Sequence, residues 1–346
     1  MENFKKLKKW LKLEDDHLEM YDRPMRGIYS KKDIKKGDYI VEIPSKFIIH
    51  YSDIKDSVLE EKLNNRNSDI ARYLFLQENK KKSFYKPYFE SMPENIDEYM
   101  FFYDKSRMEQ LKHTSMFCKN SYNFEEHDQN IKEDAKTIHA YLIKKRQMPT
   151  EYMDYEKFYK IFLKYRVLVC SRVFGYTKNF MEETGLVPYA DLFNHSNDSN
   201  TTWYFNDTRN SFILEATKNI KKGREIFDSY GGKTNVQLLM YYAFTIPNNV
   251  NSILSIEHKG NVYDIGHNTK LKDLEHDHMF MDLFDFDDMK QKKKPRKFHN
   301  KEIIEKLKKH VTQLILKMKG GAIKDDNILN IYNDEISIIN KILNKK

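Results

Sequence analysis

Two short polar stretches set among apolar residues hold the side chains of this sequence best suited to chemistry: Asp191-Leu192-Phe193-Asn194-His195 and Ser229-Tyr230-Gly231-Gly232. A neighbouring amide and imidazole offer donors and acceptors to a bound molecule, and a phenol offers both in one group. Apolar flanks are unusual for surface loops. Between the two stretches, Trp203-Tyr204-Phe205 and Phe212-Ile213-Leu214 are β-prone and are separated by the turn-like Asn206-Asp207-Thr208-Arg209-Asn210, which predicts a hairpin. A hairpin there would bring Asn194-His195 and Tyr230-Gly231 together as one site.

Other candidates are weaker. The chain has no Walker loop, GxGxxG or GxSxG, which argues against the common nucleotide and hydrolase sites. Cys170 lies in an apolar helical stretch and reads as a packed thiol. His267, His276 and His278 with Asp277 have no zinc-ligand spacing, so no metal is expected. The basic run Lys290 to Lys297 reads as a solvated loop, with an import signal or phosphate binding as the functional alternatives.

The positioning elements follow from periodicity. Phe4, Leu7 and Leu11, with Trp10, suit a short amphipathic helix. Ile28 and Tyr29 start a strand, the segment from Asp33 to Gly37 turns, and Tyr39 to Ile43 forms the next strand. Lys32 to Ile40 and Lys218 to Ile226 share one pattern of Lys, Ile, Lys-Lys-Gly and Ile, which chance likeness of two turns could also produce. Residues 51–175 turn helical: Ile54, Val58 and Leu59, then Ile70, Leu74 and Phe75, are spaced for a helix face. Pro87 and Pro93 interrupt the run. A helix covers Asn130 to Lys145, and Tyr155, Phe158, Phe162, Tyr165 and Val169 mark another. This block reads as an insertion between two β-rich pieces. Beyond Asn249, short strands are expected at 252–257 and 262–265. One helix through Ile303 to Ile315 is ended by Gly320-Gly321, and a last one covers Ile328 to Leu343.

With 346 residues, 40% hydrophobic and 14% aromatic, the chain can bury a sizeable core. Charged residues at 32% and a negative mean hydropathy point to a soluble protein, with no transmembrane run and no secretory signal. The net charge of +8 permits contact with nucleic acid, but mixed charges along most of the chain favour a solvated basic surface. Two cysteines, Cys118 and Cys170, exclude a disulfide framework and a cysteine-rich zinc site, and point to a reducing compartment, cytoplasmic or nuclear.

Six pieces occur in order: Arg26-Gly27-Ile28, IKKGDYIVEIP, SRVFG, LVPYADLFNHS, KKGREIFDSYGGKTN and YYAFTIPNN. Together they resemble the SET-domain methyltransferases. The resemblance is to the subfamily with a long helical insertion, typified by the plant Rubisco large-subunit lysine methyltransferase, and it spans roughly residues 20–250. Pro87-Tyr88 and Pro93 match that subfamily's inserted block. It implies an α+β fold: a β-rich pseudoknot core at 1–50 and 166–250, a helical insertion at 51–165, and a small, mostly helical C-terminal module at 251–346.

The resemblance also implies an S-adenosylmethionine-dependent enzyme that methylates a lysine of a protein substrate, without membrane association and with nucleic acid not favoured as partner. Arg26, Gly27, Asp38, Tyr39 and Ile40 then line the cofactor cleft. Arg172, Asp191, Asn194 and His195 match cofactor or site positions, with Asp191 read equally as a hydrogen-bond anchor of the pseudoknot. Tyr230 matches the tyrosine at the methyl-transfer centre. Arg172, Phe174, Tyr242 and Phe244 match acceptor-side positions, and the three aromatics could equally be core. The related actin-histidine methyltransferase carries Asn and Trp where this chain has Phe174 and Ala190, which favours lysine over histidine. Two departures stand out: Tyr242-Ala243-Phe244 replaces the usual Tyr-Gly-Phe, and the segment after Val250 is short for a substrate-docking domain. The rival readings are a protein-histidine methyltransferase and a catalytically inactive SET-fold adaptor.

Overall fold

The computed structural model describes residues 2–13, 17–21, 26–118, 123–258, 261–269, 300–321 and 323–344. Its helices in chain order are α1 (Glu2–Leu11), α2 (Tyr51–Ile54), α3 (Ser57–Glu60), α4 (Arg66–Glu78), α5 (Lys86–Phe89), α6 (Lys105–Leu111), α7 (Phe124–Lys144), α8 (Tyr155–Cys170), α9 (Asn235–Tyr242), α10 (Asn300–Lys319) and α11 (Asp326–Asn344). The strands are β1 (Leu18–Tyr21), β2 (Gly27–Ser30), β3 (Tyr39–Pro44), β4 (Ile49–His50), β5 (Val173–Lys178), β6 (Met181–Leu186), β7 (Asn194–His195), β8 (Thr201–Asn206), β9 (Ser211–Ala216), β10 (Phe227–Asp228), β11 (Ile253–His258) and β12 (Asn261–Gly266). The mixed α+β composition with several small sheets agrees with the expected class. The chain forms two compact units, one of Met1–Ile96 with Asp128–Gly232, the other of Asp97–His127 with Lys233–Lys346.

In the first unit the small sheets are ordered β1-β2, β3-β9-β8, β4-β6-β5 and β10-β7. The expected hairpin is β8–β9, with Phe205 opposite Phe212 and Asn206 opposite Ser211. Asn210 takes the left-handed conformation at its turn, which Asn tolerates better than most residues. β9 also pairs with β3, so the hairpin is stitched to the N-terminal part of the chain.

The two similar turns face each other across a local two-fold. Ile34 and Ile220 exchange both backbone hydrogen bonds at 2.8 Å. Gly37 N–H donates to the Ala216 carbonyl, and its counterpart Gly223 donates to Ser30. Lys36 N–H donates to Asn219 Oδ1 at 2.9 Å, and Lys222 N–H to Asp33 Oδ1 at 2.9 Å. Gly37 and Gly223 both have positive φ, 87° and 77°, where a side chain would strain the turn.

The helices of this unit pack chiefly as α4 on α8. Asn65 and Asp154 cap their N-termini through side-chain oxygens, and Phe75, Phe158 and Phe162 are fully buried between them. Ile54, Val58 and Leu59 do not share one helix. Lys55 and Asp56 are extended, the Asp56 carboxylate caps the following turn, and Val58 is left 48% exposed. Pro87 does not break structure outright: it sits in the first turn of α5, where its missing N–H costs nothing.

In the second unit β11 and β12 form a hairpin against α11, and α10 packs on α11. Gly321 ends α10 with φ +63°. Thr234 and Gln237 form a reciprocal capping box at the start of α9. That helix ends at Ala243, whose φ of 64° is left-handed. Thr245 is then held by Asn327 at 2.9 Å and by Asn330 at 3.0 Å, and Ile246 by both ends of the Asn235 amide at 2.8 Å.

Ala243→Gly should remove about 1–2 kcal/mol of left-handed strain and return about 0.5–1 kcal/mol through unfolded-chain entropy. The expected net gain, a few tenths to about 1 kcal/mol, is readable as a raised denaturant midpoint; a lowered midpoint would contradict the strain.

Candidate active site

The site is built where β7 and β10 run parallel, Asn194 beside Phe227 and His195 beside Asp228. Two residues past β10, Tyr230 returns over β7. Its backbone N–H donates to His195 Nδ1 at 3.0 Å, and its hydroxyl donates to the Phe193 carbonyl at 2.8 Å. The phenol and imidazole stack, with centroids 5.0 Å apart and planes inclined by 22°. Acceptance at Nδ1 fixes the tautomer that carries its proton on Nε2. The phenol therefore has one orientation, set from both ends.

Asn194 is held as firmly. Its amide nitrogen donates to the Arg26 carbonyl at 2.6 Å and to Glu225 Oε1 at 2.8 Å. Glu225 Oε2 accepts from the Tyr29 hydroxyl at 3.0 Å. A Cβ on Gly27 would lie 2.3 Å from Glu225 Oε1, so only glycine lets the carboxylate reach Asn194. Beside Arg26 a cavity of about 320 Å³ opens, with Phe4, Met20, Met92 and Leu192 as apolar wall and Glu94 at its edge.

Behind β7 lies a buried polar group. The Asp191 carboxylate is fully buried; Oδ2 accepts from Arg172 Nη1 at 3.0 Å and from the Tyr88 hydroxyl at 2.7 Å. Arg172 Nη1 also donates to the Asp191 carbonyl at 3.1 Å. Burial, then the Asp191 charge, push the Tyr88 hydroxyl well above its ordinary pKa, so it stays a donor. Tyr189, just ahead, is buried with φ 77° and stacks on Phe4 at 5.4 Å.

The fold thus gathers Arg26, Gly27, Asn194, His195 and Tyr230, with Arg172 and Asp191 directly behind them. The side chains of Asp38, Tyr39 and Ile40 are engaged elsewhere. The Asp38 carboxylate accepts from Lys35 N–H at 2.8 Å within its own turn, Tyr39 is 46% exposed with the Arg209 guanidinium over its ring, and Ile40 is in the core. Phe174 is buried edge-on to Trp203 and Phe212, at 5.4 and 5.2 Å. Tyr242 and Phe244 belong to the second unit, with ring centroids 6.4 Å apart.

Sequence reasoning missed Glu225, Tyr29, Phe193 and the role of the Tyr88 hydroxyl. Glu225 sits inside the repeated turn pattern, but nothing in its spacing marks it. Both cysteines are free thiols; Cys118 Sγ donates to the Ser255 carbonyl at 3.1 Å, and Cys170 meets Arg166 and Asn67. His267 meets Lys341 at 3.1 Å, whereas His276, Asp277, His278 and Lys290 to Lys297 lie outside the described residues. Among the described residues no helix is long and apolar enough to cross a membrane.

Asp228, the last residue of β10, is 2% exposed and its pKa is pushed up to about 6 by burial, against the opposing hydrogen bonds from Ser229 N–H and Thr201. The folded chain then holds this proton where the unfolded chain has lost it. The group's contribution to stability is therefore highest below about pH 4 and declines until about pH 6, where the buried carboxyl ionises. Asp228→Asn should raise stability more at pH 7 than at pH 4, by up to about 3 kcal/mol; melting curves that shift equally at both pH values would oppose this.

The comparisons with known proteins bear on the whole arrangement. A family model described as SET domain matches residues 25–231. SET domain-containing protein 4 of Artemia parthenogenetica is 24% identical over 267 residues, 74% of this chain and 66% of that protein. The chloroplastic Rubisco large subunit N-methyltransferase of Nicotiana tabacum is 23% identical over 250 residues, 66% and 47% of the two chains. The actin-histidine N-methyltransferase of Otolemur garnettii is 22% identical over 245 residues, 67% and 39%. The matches span about two thirds or less of these relatives' own length. A solved structure of the SET domain of LSMT bound to lysine and AdoHcy superposes with a TM-score of 0.67 at 16% identity, covering 99% of this chain and 90% of that one. Another, Rubisco LSMT bound to AdoMet, gives 0.65 at 15%, covering 98% and 90%. With the family pattern extending from the Arg26 turn to the Tyr230 loop, the chain belongs to the SET-domain family of protein methyltransferases.

Proposed function

We propose that this chain transfers a methyl group from S-adenosylmethionine to a lysine side chain of a protein substrate. One observation carries the reading: Tyr230 is fixed by His195 Nδ1 and the Phe193 carbonyl directly over the Asn194-His195 pair. The donor is assigned to the Arg26 side of this arrangement, where a cavity of about 320 Å³ joins apolar walls to polar groups, as a nucleoside with a charged tail requires. The Asn194 amide is tied to that wall through the Arg26 carbonyl.

S-adenosylmethionine would supply an electrophilic methyl group on a sulfonium: a neutral amine attacks the methyl carbon in line, the C–S bond breaks, and S-adenosylhomocysteine leaves as a neutral thioether. A free lysine has a pKa of about 10.4, so its ammonium must give a proton to solvent water before the amine attacks. Tyr230 orients the amine: its proton is committed to the Phe193 carbonyl, which turns the oxygen lone pairs outward as acceptors. It is a positioner rather than a nucleophile. Asn194, held by Arg26 and Glu225, and His195 are assigned to the cofactor, together with Arg26 and Gly27. Asp38, Tyr39 and Ile40 keep their cofactor-cleft assignment from the family likeness alone. Arg172 and Asp191 hold the strand that bears Asn194 and His195. Phe174, Tyr242 and Phe244 keep their acceptor-side assignment from the family likeness alone.

The choice of lysine rests on Phe174 and Ala190. Phe174 is a buried ring among rings and offers no amide to hold an imidazole, and Ala190 is 1% exposed in a packed turn. A chloroplastic N-methyltransferase and an actin-histidine N-methyltransferase are both among the relatives, so the acceptor is an experimental question with a direct answer.

Incubation with labelled S-adenosylmethionine and a cell lysate, followed by mass spectrometry, should find label on lysine; label confined to histidine would sink the acceptor assignment. Tyr230→Phe should lower turnover at least about a hundredfold while changing the dissociation constant for S-adenosylhomocysteine less than about threefold. Equal losses in both would remove Tyr230 from the transfer step. Calorimetry without any affinity for either cofactor form would instead favour an inactive adaptor.

A further inference from the structure

Residues 1–12 and 80–86 contain nine lysines and one glutamate, an excess equal to the net charge of +8 for the whole chain; all other residues balance. The fold sets these two segments side by side. Asn3 donates to the Glu90 carbonyl at 2.6 Å, Lys6 lies 3.6 Å from the Glu90 carboxylate, and Trp10 packs edge-on against Phe84 and Tyr85 at 5.1 and 6.0 Å. Because Phe4, Leu7 and Leu11 face the core, Lys5, Lys9 and Lys12 face water. Lys80, Lys81, Lys82 and Lys86 are exposed as well. Phe84, in the middle of them, is 53% exposed.

Alongside opens a recess of about 500 Å³, into which Lys80, Lys81, Lys86 and, from α8, Lys164 contribute walls. Tyr165 also lines it; that residue is 2% exposed, and its buried hydroxyl has no hydrogen-bond partner. Three carboxylates, of Glu78, Glu90 and Glu94, share the rim. Glu90 is offset by Lys6 and by Lys86 at 3.9 Å.

We propose that this face of the first unit binds single-stranded RNA. Lysines along two neighbouring segments suit successive phosphates, whose condensed counterions are released on binding. A half-exposed phenylalanine amid the lysines is a platform for a base, and such stacking is tolerant of sequence. A bilayer surface would call for a flat apolar band, whereas here Lys80, Lys81, Lys86 and Lys164 line a concave recess. An acidic peptide would match the lysines and leave uncovered the exposed part of the Phe84 ring, which otherwise packs on Trp10, Phe47 and Tyr85. The rim carboxylates disfavour a bare phosphate cluster, yet they are acceptors for a ribose 2′-hydroxyl, which selects RNA over DNA. The inference is independent of the methyl-transfer reading and differs from the basic run Lys290 to Lys297, which is another part of the chain.

The test is fluorescence anisotropy of the full chain with a labelled oligouridylate across a salt series. Binding should weaken steeply with salt. Replacing Lys80, Lys81, Lys82 and Lys86 together by Gln should weaken it at least about tenfold and lower the log–log salt slope by about 0.7 for each phosphate that is no longer neutralised. Phe84→Ala should weaken it several-fold and leave the slope unchanged. Unaltered melting temperatures establish that both variants fold. The proposal is overturned if the lysine variant binds like wild type, or if binding disappears only when Lys290 to Lys297 are neutralised. Equal affinity for the matching DNA strand, or equally effective competition by polyglutamate or by anionic vesicles, would overturn it too.

Discussion

The pairing of two look-alike turns, Lys32 to Ile40 against Lys218 to Ile226, is the constraint on which the SET core rests. Each backbone hydrogen bond from one turn is returned by its counterpart in the other: Ile34 with Ile220, Gly37 to Ala216 with Gly223 to Ser30, Ser30 to Arg224 with Ala216 to Asp38. Each bond contributes only about 1 kcal/mol net, but together they fix register, because a slip by one residue would forfeit all of them. Closing a loop this long is not prohibitive. Closure entropy grows with the logarithm of length, so doubling the intervening chain adds only about 0.6 kcal/mol. That is why a helical block can be accommodated between the two turns without loosening them.

The site is placed by what enters and leaves this pairing. Arg26, Gly27 and Tyr29 lie just before the first turn, and Glu225, Asp228 and Tyr230 lie at the end of the second or just past it. Ile226 N–H still donates to Ile28, so the two exits run together for several residues. Glu225 can therefore bridge Tyr29 and Asn194, and the chain needs only four more residues to bring Tyr230 onto His195. The precision of the phenol follows from backbone register, not from a mobile loop closing over it.

This explains what the sequence made legible and what it did not. The β8–β9 hairpin was readable because alternating β-prone runs flank an obvious turn. That the polar pairs Asn194-His195 and Tyr230-Gly231 meet was readable from the hairpin between them and the apolar residues that surround them. The turn repeat was visible as a pattern, but pattern alone does not say that two similar turns pair with each other; that needs the long-range partner. Glu225 was hidden for the same reason, since its meaning lies in the missing Cβ of Gly27, nearly two hundred residues earlier in the chain. Helical periodicity identified α4 and α8 and overreached at Ile54 to Leu59, where the Asp56 cap outweighed apolar spacing.

The Asp191–Arg172–Tyr88 group shows why the site needs support of a costly kind. A buried ion pair gains little net stability, since desolvation cancels most of the attraction, whereas losing one partner costs about 3–5 kcal/mol. Its value lies in specificity. Arg172 comes from just past α8, Tyr88 from α5 and Asp191 from the turn before β7, and both donors converge on one carboxylate oxygen, Asp191 Oδ2. The left-handed Tyr189 points the same way: about 1–3 kcal/mol of backbone strain persists because Phe4 and Phe193 hold the ring on two sides. Helix, insertion and core thus meet at one buried carboxylate, so the strand carrying Asn194 and His195 cannot shift without breaking a buried hydrogen bond.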